Sequence, residues 1–592
     1  MTIIHSLDCL SFSAAVYPAA DWRLLESEKK MTIRNKILSV LSAVLAAATL
    51  CACDAGSGSS SDSANPGTID GNSSDSPAVN VDYKYEQELN IIDDNYRNYY
   101  EIFVYSFCDS NGDGIGDLKG ITSKLDYIKD MGFNGIWLTP IMPSTTYHKY
   151  DVTDYYGIDP QFGTMDDFDE LVSECSKRGI KLILDLVMNH SSSQHPWFIE
   201  AKSSLNTEPC GAPANADCLN QNEICPTHNK YVNYYNFSEE QNAGYSKLND
   251  KYFYECPFWD QMPDLNLNNE DVRHELEDIA KFWLDKGVGG FRLDAAKEYV
   301  SGDIKTNTEI LGWFSDYCKS VDPNVYLVAE VWEQYTTFSK YYASEIPSIF
   351  DYSVGTQSGV IAKVLTDKSY TVSNFVNSMV TLENKFSEYY ADAIDAPFIS
   401  NHDNGRNSGI FSYDETKIKA GAGLLMTMTG SPFVYYGEEI GLTGGGTKDE
   451  NYRAPMIWDS NGTGSPNPPS GMDSQNQKFL SVEDQLADPN SILNYYKRAA
   501  RIRNENPEIA RGKTVKIDLG DDKNIAAIER SYNGKTITIV YNYNEEEREI
   551  TDSALNLGSK QIRGYLTTDA SQEVTLDNGT LKIPAYGIAF LM

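Results

Sequence analysis

The stretch Gly289-Gly290-Phe291-Arg292-Leu293-Asp294-Ala295-Ala296-Lys297 decides the fold. Its apolar run, Gly287 to Leu293, predicts a short buried strand that ends in a carboxylate, with an arginine two residues earlier. Alternation along a strand puts Arg292 and Asp294 on the same side, so the guanidinium can hold the carboxylate ionised and aimed. A carboxylate nucleophile needs this arrangement. A purely structural ion pair at a strand end is the alternative, because such pairs perturb carboxylates too.

Seven other apolar runs have strand length, and amphipathic, helix-like patterns lie between most of them. The predicted strands are Glu101–Phe107, Gly135–Leu138, Lys181–Val187, Gly289–Leu293, Val325–Val331, Ser348–Phe350, Pro397–Ser400 and Pro432–Tyr435. The predicted helices include Gly120–Met131, Met165–Arg178, Asn269–Lys286 and Ser373–Tyr389. Eight β-then-α units predict an α/β fold, a (β/α)8 TIM barrel, with its chemistry at the C-terminal ends of the strands.

The barrel is expected in two parts, 96–187 and 269–508, separated by residues 188–268. A connection of that length after strand 3 predicts an inserted subdomain, domain B. In an exported protein its four cysteines are expected to form two disulfides in any of three pairings. A zinc site is the alternative, disfavoured because paired C-x-x-C units are missing. These cysteines are Cys210, Cys218, Cys225 and Cys256, whereas Cys108, Cys175 and Cys318 are expected to be buried thiols.

Residues 509–592 change character and predict a C-terminal antiparallel β-sandwich that follows a helix near Ser491–Asn504. Turn signals such as Asn533-Gly534 separate short apolar runs there. The strand candidates are Thr514–Asp518, Ile525–Arg530, Thr536–Tyr541, Gln561–Tyr565 and Ile588–Met592.

Residues 1–53 predict a non-native start, up to residue 30, followed by a lipoprotein signal peptide. Ile37–Leu50 is an apolar segment too short to span a bilayer comfortably, and it follows a basic n-region. It runs into Leu50-Cys51-Ala52-Cys53, which resembles a bacterial lipoprotein signal with its lipid on Cys53. A plain secretory signal is the alternative. Residues 54–95 predict a disordered tether, so we expect an exported, cell-surface or envelope lipoprotein held to a membrane by that lipid.

The composition restricts the partners of this chain. The 592 residues carry a net charge of −36, from 85 acidic and 49 basic side chains. Such a surface repels phosphate backbones, so no nucleic-acid partner is expected. The 39 tyrosines and 8 tryptophans offer flat apolar faces of the kind that stack on sugar rings, although core packing also uses them. We expect a monomer.

Carboxylates and histidines cluster at the ends of three predicted strands. Asp185-Leu-Val-Met-Asn189-His190 closes the third strand, Val328-Ala-Glu330-Val-Trp332 the fifth and Phe398-Ile-Ser-Asn401-His402-Asp403-Asn404 the seventh. Because strand ends meet at one rim of a barrel, Asp294, Glu330 and Asp403 are expected to converge there. Stability alone does not explain three carboxylates and two histidines at one rim.

These segments, in this order, resemble the α-amylase family of glycoside hydrolases. Gly132–Pro140, Met262-Pro-Asp-Leu-Asn266 and Gly430–Glu439 share the resemblance, which covers roughly residues 96–592. It implies a retaining mechanism in which Asp294 attacks the anomeric carbon and Glu330 acts first as acid and then as base. Arg292 would keep Asp294 charged while burial and repulsion keep Glu330 protonated.

The resemblance also implies roles in substrate binding. Asp403 would hydrogen-bond sugar hydroxyls more strongly in the transition state than in the ground state. His190 and His402 would bind hydroxyls of the same glucose, with Tyr150 stacked beneath it and Arg292 beside it. Lys297 would bind the glucose beyond the cleavage point. For the histidines and the tyrosine, buried core packing is the alternative.

Asp109-Ser-Asn111-Gly-Asp113-Gly-Ile115-Gly-Asp117 follows the first strand and resembles an EF-hand-like calcium loop without its distal glutamate. Relatives carry a structural calcium here, so the expected ligands are Asp109, Asn111, Asp113, the Ile115 carbonyl and Asp117. A turn-rich loop without metal is the alternative. Asn189 matches a ligand of a second calcium site, whose other ligands the sequence does not locate.

The preferred substrate is inferred from small differences within the family. Ala295 after the nucleophile favours cleavage of α-1,4-glucosidic bonds in starch or maltooligosaccharides. Asn451–Met456 and the Asp109–Asp117 loop favour an exo-acting α-glucosidase or oligo-1,6-glucosidase instead. Position 298 is Glu in this chain, where many family members have His. The sequence therefore does not predict how the sugar beyond the cleavage point is bound. A non-catalytic glucan-binding surface protein is a remote alternative, because such relatives lack catalytic carboxylates that this chain keeps.

Overall fold

The computed structural model describes residues 84–220, 225–551 and 553–592. The signal peptide, the lipid-bearing Cys53 and the tether up to residue 83 lie outside the described residues. No helix in the described part of the chain combines the length and apolar character that a membrane span requires.

Eight parallel strands form the barrel, and three strands between its third and fourth members belong to the insertion. In chain order the strands are β1 (Tyr99–Ile102), β2 (Gly135–Leu138), β3 (Lys181–Leu186), β4 (Phe237–Ser238), β5 (Tyr245–Lys247), β6 (Phe253–Glu255), β7 (Gly290–Leu293), β8 (Tyr326–Ala329), β9 (Ser348–Phe350), β10 (Ile394–Ala396) and β11 (Phe433–Tyr435). Their order around the barrel is β10-β9-β8-β7-β3-β2-β1-β11, and a parallel bridge between Phe398 and Phe433 closes it. The predicted (β/α)8 barrel is confirmed.

The barrel has an inner and an outer core, as strand alternation requires. Tyr100 on β1 packs outward against the helical layer, whereas Tyr99 points inward. Tyr99 stacks there between the rings of Tyr326 and Phe433, at centroid distances of 5.0 and 4.6 Å. Bulky inward side chains fill the interior, so the barrel is a packed core and the rim is left for chemistry. The inner core comprises Tyr99, Trp137, Ile183, Tyr326, Val328, Phe350, Tyr352, Ala396, Phe398 and Phe433.

Helices cover the outside of the barrel. The helix Glu270–Asp285 shows how the sequence specifies them: Asn269 caps its first turn by accepting from the amides of Asp271 and Val272, and its apolar face, including Leu276 and Trp283, is buried. The other long helices are Met165–Lys177, Pro196–Leu205, Ile304–Val321, Val372–Ser387, Glu415–Met426 and Ile492–Glu505. The shorter ones are Leu118–Ser123, Leu125–Asp130, Tyr335–Phe338, Val360–Thr366, Asn407–Ile410, Asp449–Tyr452, Val482–Leu486 and Glu508–Arg511.

Two predicted strand positions are wrong. The seventh barrel strand is Ile394–Ala396 and not Pro397–Ser400, because the polar Asp395 lies buried within the strand and interrupts the apolar pattern that predicts one. The first strand ends at Ile102, and Val104–Ser106 form a 3-10 turn where the prediction extended the strand to Phe107. The single predicted helix Gly120–Met131 is two short helices that meet at Lys124.

The insertion contains a small antiparallel sheet in the order β4-β6-β5. Two isolated antiparallel bridges join the segment 262–267 to its neighbours: Asp264 pairs with His190, directly after β3, and Leu265 pairs with Tyr235. The amide of Leu265 also donates to the carbonyl of Asn189 at 2.8 Å. These bonds place the insertion at the C-terminal rim of the barrel.

The C-terminal domain consists of two antiparallel sheets, as predicted. Its strands are β12 (Val515–Ile517), β13 (Ile525–Tyr532), β14 (Lys535–Asn542), β15 (Arg548–Ile550), β16 (Ile562–Leu566), β17 (Thr575–Asp577), β18 (Thr580–Ile583) and β19 (Gly587–Leu591). One sheet has the order β12-β13-β14-β19-β16 and the other β15-β18-β17. Apolar side chains of both sheets, among them Val540, Leu581 and Leu591, form a shared core. The sequence missed β15, β17 and β18, which are short and mixed in polarity.

The predicted tether, 54–95, is too long at its C-terminal end. Residues 84–95 pack on the folded body because they carry specific partners. Tyr85 contacts the ring of Tyr565 at 5.6 Å, the amide of Gln87 donates to Glu505, and the amide of Asn90 donates to the carbonyl of Asn504 at 2.9 Å. The polar composition of residues 84–95 gave no indication of these contacts.

Candidate active site

A cleft of about 720 Å³ opens at the C-terminal rim of the barrel. This size suits a ligand of several rings. Side chains from several strand ends and from the insertion line it, so residues far apart in sequence share one space. Its lining includes the predicted Tyr150, His190, Asp294, Lys297, Glu330 and Asp403 together with His148, Phe258, Trp259, Met262, Ala295, Glu298, Trp332, Asp449 and Arg453.

Arg292 is the charge at the centre of the site. Its Nη1 donates to Asp294 Oδ1 at 2.6 Å and to Asp185 Oδ1 at 2.9 Å, and its Nη2 donates to Glu330 Oε2 at 2.8 Å. Strand register explains part of this geometry, because Asp185 on β3 lies directly opposite Arg292 on β7. The sequence placed Asp185 at the rim but did not identify it as a partner of Arg292.

The turn after β7 orients the two predicted catalytic carboxylates. Ala295 has a left-handed backbone, with φ of 47°, which is unusual for a residue other than glycine and costs about 1–3 kcal/mol. Its amide thereby donates to Glu330 Oε2 at 3.0 Å, while the Tyr352 hydroxyl donates to Glu330 Oε1 at 3.3 Å. Both Asp294 and Glu330 are buried.

Arg292 favours the ionised form of Asp294, as expected, but other effects oppose it. Burial is the largest effect on Asp294, and it raises the pKa of this carboxyl well above its ordinary value. Arg292 lowers the pKa, but Glu330 and Asp185 raise it further. Besides burial, the reason is that three carboxyl groups share one guanidinium, so its single positive charge cannot balance all of them when they are ionised.

Asp403 belongs to a second charge cluster. Its Oδ1 accepts from Arg453 Nη2 at 2.9 Å, and its Oδ2 lies 3.0 Å from His402 Nε2. His402 Nδ1 lies 2.6 Å from Glu101 Oε1. Burial works to lower the pKa of His402, but Asp403 and Glu101 outweigh it and raise that pKa to about 10, so His402 is a cation at neutral pH. Although burial raises the pKa of Asp403, His402 and Arg453 hold it well below its usual range.

Arg453 and Glu101 are site residues that sequence reasoning missed. Arg453 comes from the long segment after β11, and Glu101 Oε1 also accepts from the His402 amide. For Arg453 the only local signal is the motif Asn451-Tyr-Arg453, which by sequence alone indicates a substrate preference. For Glu101 the signal was a charged residue within an apolar strand.

His190 and Tyr150 occupy the inner part of the cleft. The Nε2 atom of His190 is buried without a hydrogen-bond partner, although the residue lines the cleft. Burial lowers the pKa of His190 to about 4, so its ring is neutral at pH 7. The Tyr150 ring stacks on His402 at 5.5 Å, and its hydroxyl donates to Asp185 at 2.9 Å. A neutral histidine with a spare nitrogen is suited to bind a hydroxyl group.

Exposed aromatic rings and Lys297 mark the outer part of the cleft. Trp332 is 44% exposed and stacks on Tyr352 at 4.9 Å, while Phe258 and Trp259 of the insertion are 52% and 45% exposed. Lys297 Nζ lies 3.4 Å from Glu333 Oε1 and 3.6 Å from Glu298 Oε1. The insertion and the barrel therefore both contribute flat apolar surface to one open cleft.

The Asp109–Asp117 loop is organised by its own side chains. Asp109 accepts from the amides of Asn111, Gly112 and Gly114, and Asp113 accepts from the amide of Ile115. Asp109, Asn111 and Asp113 are solvent-accessible. Asp117 is buried and caps the helix Leu118–Ser123 by accepting from the Gly120 amide at 2.7 Å. Hydrogen bonds to Asp109 and Asp113 therefore shape the turns of this loop, and Asp117 also has a structural role as a helix cap.

Asn189 lies beside a partner that the sequence did not locate. Asn189 Oδ1 and Asp264 Oδ1 are both buried and have no hydrogen-bond partner. Two adjacent orphaned oxygen acceptors, at the point where the insertion bridges to the barrel, fit a hard cation that takes oxygen ligands.

The predicted pair of disulfides is wrong. Cys210, Cys225 and Cys256 carry free thiols, and the sulfurs of Cys218 and Cys225 are 3.6 Å apart, well beyond the covalent distance of about 2.05 Å. Cys256 is elsewhere in the insertion, with its thiol directed at the carbonyl of Tyr254. The other three cysteines gather around His228, which sequence reasoning missed although Cys225-Pro-Thr-His228 is a C-x-x-H motif. Cys108, Cys175 and Cys318 are buried thiols, as expected.

Known proteins resemble this chain over most of its length. The family profile described as the alpha-amylase catalytic domain matches residues 101–512. Alpha-amylase 3 of Dictyoglomus thermophilum is 37% identical over 471 residues, which are 76% of this chain and 86% of that protein. Glucan 1,6-alpha-glucosidase of Streptococcus pneumoniae is 30% identical over 76% of this chain and 91% of its own. The solved structure of Eubacterium rectale Amy13B has a TM-score of 0.79 and 41% identity, and the match covers 85% of this chain and 96% of that one.

Proposed function

The chain belongs to the α-amylase family of glycoside hydrolases, and we propose that it cleaves α-1,4-glucosidic bonds in starch or maltooligosaccharides with retention of configuration. One observation carries this proposal. The guanidinium of Arg292 donates to both Asp294 and Glu330, so these two carboxyl groups lie side by side in one open cleft. Retaining glycosidases use such a pair about 5–5.5 Å apart.

In the first step Asp294 attacks the anomeric carbon while Glu330 gives its proton to the departing glycosidic oxygen. One C–O bond breaks and an ester bond between Asp294 and the sugar forms. The Ala295 amide and Arg292 Nη2 both donate to Glu330 Oε2, so the proton is delivered from Oε1, the oxygen beside the Tyr352 hydroxyl.

In the second step Glu330, now a carboxylate, takes a proton from water, and the hydroxide attacks the anomeric carbon. The ester bond breaks, and Asp294 leaves as the carboxylate with which it began. Two inversions at one carbon give net retention. Arg292 contacts the carboxyl groups of both Asp294 and Glu330, and the negative charge of the cluster stabilises the oxocarbenium-like transition state.

The Asp403 cluster binds the same glucose. Arg453 and the His402 cation hold Asp403 ionised, so it accepts hydrogen bonds from sugar hydroxyls, and these strengthen as positive charge develops on the ring. His190 Nε2 binds a further hydroxyl, and Tyr150 packs against the apolar face of the sugar. Both ring nitrogens of His402 are occupied by Glu101 and Asp403, so His402 acts through Asp403 and does not bind a hydroxyl itself. Lys297 lines the cleft and would bind the glucose beyond the scissile bond.

The exposed aromatic rings of the cleft support action within long chains. Both the barrel and the insertion contribute such rings to the lining, and they offer a glucan several flat surfaces beside the carboxylates. An exo-acting α-glucosidase or oligo-1,6-glucosidase is the second candidate, favoured by relatives such as Glucan 1,6-alpha-glucosidase at 30% identity. A timed product analysis on maltoheptaose and on isomaltose decides between them. We expect mixed maltooligosaccharides early and no attack on isomaltose, whereas glucose alone from the first minute would defeat the proposal.

Structural calcium is part of the proposal. The Asp109–Asp117 loop supplies carboxylate, amide and carbonyl oxygens, and Asn189 with Asp264 supplies orphaned buried acceptors at a second place. Calcium would hold these segments in position and take no part in bond cleavage. We also propose export and a lipid anchor on Cys53. If Cys53→Ser fails to abolish incorporation of labelled palmitate, the anchor is wrong.

A further inference from the structure

The loop between the helix Pro196–Leu205 and the 3-10 turn Lys230–Tyr234 contains a cluster of soft ligands. Cys210, Cys218, Cys225 and His228 each offer one ligand atom, and these atoms all lie within 4.8 Å of one another. Among the described residues they form the only group of three or more Cys, His, Asp or Glu side chains with ligand atoms so close together. The glycosidase mechanism uses none of them.

The distances in the cluster match those of a tetrahedral zinc site. Zn–S bonds of about 2.3 Å and Zn–N bonds of about 2.0–2.1 Å at tetrahedral angles give S···S edges of about 3.8 Å and S···N edges of about 3.6 Å. The Cys218 and Cys225 sulfurs are 3.6 Å apart, and His228 Nδ1 lies 3.5 Å from Cys210 Sγ and 3.2 Å from Cys225 Sγ. The ligand atoms thus already lie near the corners of the polyhedron.

The histidine is oriented as a metal ligand. Its outer nitrogen, Nε2, lies 3.0 Å from the carbonyl oxygen of Pro213, which can only accept a hydrogen bond. Nε2 therefore carries the proton in the neutral ring, and Nδ1 presents its lone pair to the three sulfurs. Metal-bound histidines have this arrangement, in which a backbone carbonyl fixes the tautomer.

Backbone structure around the cluster supports the same geometry. The Cys225 carbonyl accepts from the amides of His228 and Asn229, which forms a tight turn and brings the two ligands of the C-x-x-H motif together. Asn229 then caps the 3-10 turn by accepting from the Tyr231 amide, and it donates to Ser204 Oγ at 2.6 Å. The cluster is thereby joined to the end of the helix before it and the start of the turn after it.

We propose that Cys210, Cys218, Cys225 and His228 bind one zinc ion in a closed Cys3His site that fixes residues 206–220 and 225–229 of the insertion. Three thiolates and an imidazole favour zinc over calcium, which takes oxygen ligands. On binding, the three thiols release their protons to solvent, and no electron is transferred. The site is structural, because four protein ligands leave no position for substrate.

The first test is elemental analysis of the purified full-length protein, prepared without a metal-affinity column. We expect about one zinc per chain in wild type and in Cys256→Ser, which alters a thiol of the same insertion outside the cluster. Cys225→Ser and His228→Ala should weaken zinc affinity by at least about tenfold. Equal zinc content in Cys225→Ser and Cys256→Ser, or a disulfide between two cluster cysteines found by mass spectrometry, would overturn the site.

A second measurement keeps the test decisive if the variants fail to fold. Metal-free wild type should take up one Co2+ per chain and gain the charge-transfer absorption of thiolate ligation, which added zinc abolishes. Prior alkylation of the thiols should prevent the change. Removal of zinc should also expose residues 206–220 and 225–229 to proteolysis, while a calcium-selective chelator should not. Stoichiometric Co2+ uptake without thiolate absorption, or no uptake at all, would refute the proposal independently of any glycosidase assay.

Discussion

Arg453 donates a hydrogen bond of 2.9 Å to Asp403, and its Nε donates to the carbonyl of His402 at 3.1 Å. One side chain therefore fixes both the carboxylate that would bind the sugar and the backbone that carries it. A charged hydrogen bond of this kind contributes about 1.5–3 kcal/mol.

The first prediction concerns this contact. Arg453→Lys keeps the charge but loses the planar donor fork, so kcat/KM should fall about 10- to 100-fold. The exposed Lys448, which pairs with Asp473, supplies the control Lys448→Gln, and this variant should behave like wild type. A loss confined to KM would show that Arg453 only binds substrate, against a role in holding Asp403 for the transition state.

The second prediction separates the two catalytic carboxylates. Asp294→Asn should abolish turnover of every glucoside, because no nucleophile remains. Glu330→Gln should lose about 10²–10⁴-fold on starch but retain rapid glycosylation by α-glucosyl fluoride, whose leaving group needs no proton. Burst kinetics with the fluoride measure this step. If the two variants lose activity equally on both substrates, the assigned roles are incorrect.

The third prediction concerns pH. Asp294 acts as a carboxylate, so activity is lost as the pH falls through its pKa. Because burial raises this pKa, the acidic limb of kcat/KM should lie above the value of about 3.9 for an ordinary aspartate. With the fluoride as substrate, Glu330→Gln keeps a neutral group beside Asp294, as the protonated Glu330 does in the active enzyme, so the limb should stay near its wild-type position. An acidic limb at or below about 3.9 in wild type would show that another group controls it.

The fourth prediction concerns stability. Burial raises the pKa of Glu438 from 4.5 to about 8. Between these values the unfolded chain has released a proton that the folded protein retains, so the free energy of unfolding should fall as pH rises, by up to about 1.4 kcal/mol per pH unit. Glu438→Gln should remove this contribution, whereas the exposed Glu309→Gln should not. Denaturant titrations from pH 4 to 9 test this, and identical slopes for all three proteins would contradict it.

The fifth prediction concerns calcium. A calcium chelator should lower the free energy of unfolding by about 1–3 kcal/mol, the linkage expected for a site near saturation. Asp113→Ala should reduce that response, and Asp250→Asn, at an exposed turn of the insertion, should leave it intact. A melting temperature that is independent of calcium in wild type would remove the metal from the proposal.

The sequence predicted the barrel because its strands are short apolar runs that alternate with amphipathic helices, and because Asp294 and Glu330 directly follow such runs. Strand β10 was misplaced since a buried carboxyl, Asp395, interrupts its apolar pattern. Arg453 was missed as a partner of Asp403 because it lies on an irregular segment that reaches the rim only through tertiary folding.

The cysteine cluster illustrates the same limit. Seven, six and two residues separate its four ligands, so no regular spacing marks them as a set. The fold of an irregular loop brings them together, and the two-disulfide prediction failed because Cys256 lies outside that loop's cluster. The sequence also shows no sign that two carboxylates share the charge of Arg292. Only the structure shows that its Nη1 donates to Asp185 as well as to Asp294.

The exposed face of Trp332 has one more consequence. Its other face rests on Tyr352, whose hydroxyl contacts the carboxyl group that would protonate the departing oxygen. A glucose unit settling on the indole would press on the ring that steadies this acid. Longer glucans would then be cleaved faster once bound, so chain length would raise the rate of bond cleavage as well as the binding affinity.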